Sequence, residues 1–142
     1  MRRSSLPLPA EMPFEIPLDD MIREIKRKRA KRVFIQAPEG IKPYVAREVP
    51  LIEERSGASI VLHGDPTYGG CDLASCESAR VESELVIHLG HTPFGPLKED
   101  YAFFDIRARV DIDEDLIRQL APLVRGKTVG LLAPLHYVHL IP

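Results

Sequence analysis

Four segments of the chain are predicted to be helices. In the first, four apolar residues follow one another at i, i+3, i+4 and i+7, namely Leu18, Met21, Ile22 and Ile25. Further helices are predicted from Pro43 to about Gly57, from 72 to 82 and from 113 to 123. Pro50 lies inside the second helix and should kink it or move its start. In the last helix we expect an inward face made of Leu116, Ile117, Leu120 and Leu123.

Short apolar runs between these helices predict strands. They lie at residues 33–37, 59–63, 84–89, 101–106 and 128–133. Strands that are apolar throughout are typical of sheets covered on both faces. Strands that alternate with helices form a mostly parallel sheet. The predicted fold class is therefore α/β, with a mostly parallel sheet of about four strands flanked by helices.

The pattern divides the chain into three parts. Residues 1–17 contain four prolines and little periodicity, which predicts an extended Pro-rich arm. Residues 18–126 hold the predicted N-terminal α/β domain. Residues 127–142 begin with a new apolar run but show no closing element, so we interpret them as the incomplete start of a second α/β domain.

Composition narrows the function classes. The 142 residues are 44% hydrophobic and 28% charged, which suits a globular domain with its own core. The net charge of −2 argues against direct nucleic-acid binding. No apolar run approaches the roughly 20 residues of a membrane span, and the N-terminus lacks an apolar signal core, so we predict a cytoplasmic protein. The basic run at 26–29 is interpreted as a solvated helix end, where cations suit the helix dipole.

Unusual residues follow three of the predicted strands. In an open parallel sheet, ligands bind beyond the carboxyl ends of the strands. The strand ends here lead into Pro38-Glu39-Gly40, His63-Gly64-Asp65 and Gly90-His91-Thr92. Each has a structural alternative, since a strand-end histidine can be a simple hydrogen-bonding residue and Asp65 can brace a turn. The glycines do not form G-x-G-x-x-G, and Gly126-Lys127-Thr128 lacks the earlier glycine of G-x-x-x-x-G-K-[ST], so a standard nucleotide loop is not supported.

Both cysteines lie in the single stretch HGDPTYGGCDLASC, residues 63–76. Cys71 is predicted at a loop-to-helix junction, where backbone N–H groups favour a thiolate. Cys76 follows five residues later and would not share its helix face, and the C-x-x-C spacing of zinc sites is absent. A zinc site made of Cys71, His63 and His91 stays open, as does a catalytic thiolate with His91 as its base.

Three blocks of the sequence together resemble a known family. They are Gln36-Ala37-Pro38-Glu39-Gly40, the run from Gly64 to Asp72, and Ile87-His88-Leu89-Gly90-His91-Thr92-Pro93. In order and spacing they are similar to the first domain of diphthamide synthase, the radical 2-(3-amino-3-carboxypropyl)histidine synthase of archaea and eukaryotes. Cys71-Asp72-Leu73 resembles the archaeal form.

The resemblance implies an enzyme of three similar α/β domains, each donating one cysteine to a single [4Fe–4S] cluster. S-adenosylmethionine binds the open iron and is cleaved to a 3-amino-3-carboxypropyl radical. That radical adds to a histidine of translation elongation factor 2, the first step of diphthamide synthesis. The archaeal enzyme is a homodimer, and the resemblance does not identify its electron donor.

Carried over residue by residue, Cys71 matches the first domain's cluster ligand. The positions expected to border the cluster or the S-adenosylmethionine cleft are Pro38, Glu39, Gly40, Asp65, Tyr68, Gly69, Gly70, Gly90 and His91. Cys76 has no counterpart in the family pattern and is expected to be a small buried helix residue. The other two cluster cysteines are absent, so this chain alone is predicted to be inactive. Alternatives are a non-catalytic α/β scaffold or interaction module, and a small zinc-binding protein.

Overall fold

A parallel sheet of four strands lies at the centre of the computed structural model, which describes residues 13–96, 99–111 and 113–141. The strand order is β3-β2-β4-β5. The four strands are β2 (Arg32–Gln36), β3 (Ser59–Leu62), β4 (Leu85–Leu89) and β5 (Tyr101–Phe104). All three neighbouring pairs are parallel. The predicted α/β class and four-stranded sheet are confirmed.

Helices α1 (Leu18–Lys28) and α2 (Lys42–Ser56) contribute to the main core on one face of the sheet. The face of α1 that the spacing predicts is buried, with Met21, Ile22 and Ile25 at most 3% exposed. Helix α2 continues through Pro50, which is exposed to solvent. Gly57 follows the last helical residue and adopts the left-handed conformation (φ 75°) that commonly ends helices. The other face of the sheet holds a smaller apolar cluster of Phe34, Ala74, Val86 and Tyr101.

A small antiparallel ribbon stands apart from the main sheet. Strand β1 (Phe14–Glu15) pairs with β6 (Arg107–Ala108). The 3₁₀ helix Leu135–Leu140 lies against β6, and the ring of His136 meets Phe14 edge-on at 6.2 Å between ring centroids. The Pro-rich arm predicted for residues 1–17 falls mostly outside the described residues; its described end forms β1.

Helix α3 (Ser75–Arg80) is shorter than the segment 72–82 that the spacing predicts. The backbone just before it is already bound, because Asp72 O and Ala74 N both hydrogen-bond to the side chain of Gln36. Cys71 therefore lies in a turn, not at a helix junction. Cys76 lies on α3 and is exposed, so its predicted burial is wrong.

Helix α4 (Glu114–Val124) forms as predicted, but its apolar face is not turned inward. Asp113 caps it by accepting hydrogen bonds from the backbone N–H groups of Asp115 and Leu116. None of its residues is buried, and the predicted inward face is 46–64% exposed (Leu116, Ile117, Leu120 and Leu123). The strand predicted at 128–133 does not form either, since no described strand pairs with that run. No helix in the described ranges is long and apolar enough to cross a membrane.

Candidate functional site

The predicted site residues meet at the carboxyl edge of the sheet. The chain leaves β2 to form β3 on one side and then returns to form β4 on the other, so the loops after β2 and β4 diverge at this point. Such a topological switch point is where open α/β sheets bind ligands. The residues after β2, β3 and β4 carry all ten positions that the sequence assigns to the site.

Cys71 is exposed on a tight turn after β3. The Asp72 N–H donates to Gly69 O at 3.0 Å, and the Asp72 carboxylate accepts the Tyr68 N–H at 3.0 Å. These two bonds close the backbone around the cysteine. Glycines at 69 and 70 leave no side chain between the turn and its neighbours. Cys71 is therefore a thiol presented outward on a fixed turn.

Gly70 brings this turn against the loop after β4. A Cβ atom added at Gly70 would lie 1.8 Å from the carbonyl oxygen of Thr92. No side chain fits that space, so the position requires glycine. The block 64–72 and the block 87–93, which are separate in sequence, are thus in direct backbone contact.

Gly90 joins the loop after β4 to the loop after β2. It has φ 76°, a left-handed conformation that favours glycine, and an added Cβ would lie 3.3 Å from Pro38 Cγ and 3.1 Å from Ile106 Cδ1. The structure therefore brings the predicted pair Pro38 and Gly90 together at the edge of the sheet.

Lys42 joins the loops after β2 and β3. Its ammonium group donates to the Glu39 carboxylate at 2.9 Å, to Asp65 O at 2.7 Å and to Gly64 O at 3.2 Å. The lysine side chain is only 12% exposed, whereas the Glu39 side chain is 59% exposed. All three donors of the ammonium group have acceptors. Glu39 and Asp65, predicted as site residues, are thereby held close together, while the Asp65 side chain itself remains 82% exposed.

Two histidines lie behind this edge. His88 Nε2 and His91 Nδ1 are 2.9 Å apart, and the His88 ring stacks on Phe103 at 4.7 Å. Burial, reinforced by His91, lowers the pKa of His88 to about 4, so its ring is neutral at pH 7. Burial also lowers the pKa of His91. His91 borders a cavity of about 950 Å³ whose wall includes Arg107.

The zinc alternative finds no support in the geometry. In residues 13–96, 99–111 and 113–141, no three histidine, cysteine, aspartate or glutamate side chains are grouped so that they could hold a metal ion. His63 is buried, with its ring 5.3 Å from that of Phe34 and its Nε2 3.8 Å from the Asp65 carboxylate. The structure therefore does not bring Cys71, His63 and His91 together as a zinc site. The catalytic pairing of Cys71 with His91 stays a prediction.

Sequence reasoning missed several residues that build this edge. The sequence shows Gln36 and Thr92 only as members of longer blocks. In the structure, Gln36 hydrogen-bonds to the backbone of the Cys71 turn, and the carbonyl oxygen of Thr92 lies against Gly70 of that turn. Phe94 is 87% exposed and Tyr68 is 84% exposed, and their loops touch at Gly70. The signal for Gln36 was present, because it is a polar residue that closes an otherwise apolar strand. Lys42 carries no such signal.

Comparison with known proteins agrees with this geometry. The model of the diphthamide synthesis protein family matches residues 37–142, which include the Cys71 turn and the loop after β4 that contacts it. The chain belongs to this family. Its relatives include 2-(3-amino-3-carboxypropyl)histidine synthase from Pyrococcus horikoshii, 34% identical over 127 residues, covering 88% of this chain and 37% of that protein. Another is subunit 1 of the synthase from Encephalitozoon cuniculi, 35% identical over 104 residues, covering 70% of this chain and 29% of that protein.

Solved structures of this family share the fold. The crystal structure of Dph2 from Pyrococcus horikoshii matches with a TM-score of 0.66 and 36% identity, covering 77% of this chain and 32% of that one. The crystal structure of the same protein with a 4Fe-4S cluster matches with a TM-score of 0.67 over the same shares. The chain thus spans about a third of the length of these diphthamide synthesis relatives.

Cys71 suits an iron–sulfur cluster as one of its ligands. Cluster irons take thiolate ligands, and this sulfur is exposed beside two glycines that leave space around it. The backbone of the turn is fixed by the hydrogen bonds of Gln36 and by the contact of Gly70 with Thr92 O, which keeps the sulfur in place.

Proposed function

We propose that this chain supplies Cys71 as one thiolate ligand of a [4Fe–4S] cluster in a 2-(3-amino-3-carboxypropyl)histidine synthase. The observation that carries the proposal is an exposed cysteine on a glycine-cleared turn at the switch point of the sheet. Membership of the diphthamide synthesis family and a relative solved with such a cluster support it.

The proposed reaction is the first step of diphthamide biosynthesis. When bound, the cluster would supply one electron to break a sulfur–carbon bond of S-adenosylmethionine, giving methylthioadenosine as the leaving group and a 3-amino-3-carboxypropyl radical. The radical would add to the ring of a histidine of translation elongation factor 2, which would then return one electron to the cluster and lose one proton. We place this activity in the cytoplasm and in a homodimer, as in the archaeal enzymes that the sequence resembles. S-adenosylmethionine is a substrate in this scheme.

Besides the ligand Cys71, other residues of this chain have two roles in the proposal. Gly69 and Gly70 let the backbone approach the cluster, and Lys42 holds the loops of Glu39 and Asp65 at the same edge. The sequence contains two cysteines, of which only Cys71 lies on this edge turn. The remaining thiolate ligands therefore come from outside residues 1–142, and the isolated chain is expected to form no stoichiometric [4Fe–4S] cluster.

The test is a chimera with the Pyrococcus horikoshii relative. Residues 1–142 replace the third of that protein that they match, and the purified chimera is reconstituted with iron and sulfide without oxygen. We expect the broad visible absorbance and the EPR signal of a reduced [4Fe–4S] cluster. Cys71→Ala should abolish both, along with transfer from S-adenosylmethionine to elongation factor 2.

Cys76→Ala is the matched control, because Cys76 is the other exposed cysteine of the chain. The control should keep the cluster and the activity. An unchanged cluster in Cys71→Ala would overturn the assignment of the ligand. Zinc bound in place of iron, by metal analysis of the wild-type chimera, would favour the zinc alternative instead.

A further inference from the structure

A single buried amide attaches the Cys71 turn to the sheet. Gln36 is the last residue of β2 and is fully buried. Its Nε2 donates to the carbonyl oxygen of Asp72 at 3.1 Å, and its Oε1 accepts the backbone N–H of Ala74 at 3.1 Å. The side chain therefore binds the backbone on both sides of Leu73.

The carboxamide of Gln36 satisfies both backbone groups at once. Asp72 O needs a donor and Ala74 N–H needs an acceptor, and the glutamine side chain offers one of each in the right order. A glutamate at neutral pH has acceptors only, and an aliphatic residue has neither. Glutamate would leave the part-buried Asp72 O without its donor, and an aliphatic residue would also leave the buried Ala74 N–H without an acceptor, which is costly.

This attachment reaches Cys71 through the backbone. Asp72 follows the cysteine directly and also closes its turn through the bond to Gly69 O. On the other side, Gly70 lies against Thr92 O. The cysteine thus lies between two fixed points, one made by Gln36 from below and one made by the loop after β4.

We propose that Gln36 is a positioning residue for Cys71. By binding Asp72 and Ala74 it fixes where the Cys71 sulfur stands at the edge of the sheet. Its importance for cluster binding rests on the function proposed above, in which that sulfur is a ligand. Residues that orient the ligands of a metal commonly change metal affinity about 10–100-fold when they are replaced.

Gln36→Met separates positioning from general stability. Methionine has a similar length and volume but makes neither hydrogen bond. The matched control is Ile35→Val, since Ile35 is also fully buried and precedes Gln36 on β2, but its side chain packs in the core on the α1 and α2 face. Thermal unfolding of both variants shows how much global stability each change removes.

The first measurement is hydrogen exchange of the backbone. In Gln36→Met we expect the amide of Ala74 to exchange about tenfold faster, as for the loss of a single hydrogen bond. The amides of β4 should keep their rates. In Ile35→Val the amide of Ala74 should stay as protected as in the wild-type chain.

The second measurement reports on Cys71 itself. A nitroxide label is attached to Cys71 in a Cys76→Ser background, and to Cys76 in a Cys71→Ser background. Gln36→Met should sharpen the EPR spectrum of the label at Cys71. The label at Cys76 should change less, because the Ser75 and Tyr101 hydroxyls, 2.9 Å apart, hold α3 to β5 independently of Gln36.

An unchanged exchange rate of Ala74 together with an unchanged label spectrum at Cys71 would overturn the proposal. If Gln36→Met does not fold, Gln36→Glu replaces it. This variant keeps the acceptor for Ala74 and loses the donor for Asp72, so the label spectrum at Cys71 alone decides, and an unchanged spectrum overturns the proposal. Both measurements are made without a cluster. Failure here therefore leaves the proposed function standing, and failure of the chimera leaves the role of Gln36 in the turn standing.

Discussion

Helices α1 and α4 begin with nearly the same sequence and differ in what they contact. Residues 19–25 read DDMIREI and residues 114–120 read EDLIRQL, with two acids, two apolar residues, an arginine, a polar residue and an apolar residue in each. The similarity continues after each helix, where VFIQAP at 33–38 corresponds to VGLLAP at 129–134. We call α1 with β2 the first unit and α4 with residues 129–134 the second unit. The apolar face of α1 is buried against the sheet, whereas no residue of α4 is buried.

The difference shows that formation of a helix depends on its own residues, whereas burial of its apolar face depends on other parts of the chain. Both helices form, because spacing, acids in the first turn and good helix formers act locally. Burial of the apolar face needs strands from elsewhere in the chain. For α1 these are β2 and β4, which bury Val33, Ile35, Leu85 and Ile87 in the same core as its face. For α4 no equivalent strands exist in the part of the chain that the structure describes.

The largest difference in stability is expected when one matched apolar residue is truncated in each helix. Ile25 is 1% exposed and Leu120 is 46% exposed at the corresponding position. Ile25→Ala should lower the free energy of unfolding by about 2–5 kcal/mol, as for other buried aliphatic residues. Leu120→Ala should change it by no more than about 0.5 kcal/mol. Urea unfolding followed by circular dichroism measures both, and equal losses would mean that α4 is covered in solution.

A smaller difference is expected between two glycines. Gly70→Ala forces a Cβ against Thr92 O, so the turn must shift at a cost of about 1–3 kcal/mol, typical of overpacking. Gly130 lies in the second unit with nothing within 4 Å of an added Cβ. Gly130→Ala should be neutral or should raise stability by up to about 1 kcal/mol through the unfolded state. Melting temperatures of the two variants test this, and a tolerated Gly70→Ala would contradict the close approach.

Acid should lower the free energy of unfolding gradually as the pH falls, because His88 is buried in its neutral form. The pKa of His88 is lowered to about 4 in the folded chain and is near 6.5 when unfolded, so the unfolded state binds the proton first. Its contribution to stability is complete above about pH 6.5 and is lost as the pH falls towards 4, by at most about 1.4 kcal/mol per pH unit. Unfolding free energies measured between pH 7 and 4 should show this slope. Because burial also lowers the pKa of His91, His88→Phe should reduce this slope to the part that His91 contributes; an unchanged slope would place the main titrating group elsewhere.

Much of the first unit could be predicted from sequence, for a physical reason. Continuous apolar runs between amphipathic helices have few alternatives to a parallel sheet, and the blocks around Glu39, Asp65 and His91 follow strands whose ends must meet at one edge. The bounds of α3 could not be predicted, because they depend on Gln36, which lies 36 residues before Asp72. The contacts of Lys42 and of Thr92 O also depend on tertiary structure alone.

The strand order has a consequence for synthesis of the chain. Strand β2 is the first of the main sheet to be made, and β3, β4 and β5 each pair with a strand made earlier. The sheet can therefore grow outward in both directions as the polypeptide emerges, with no strand waiting for a neighbour that is still to be translated. In such an order, Gln36 is already on the central strand before the cysteine that it holds has been added to the chain.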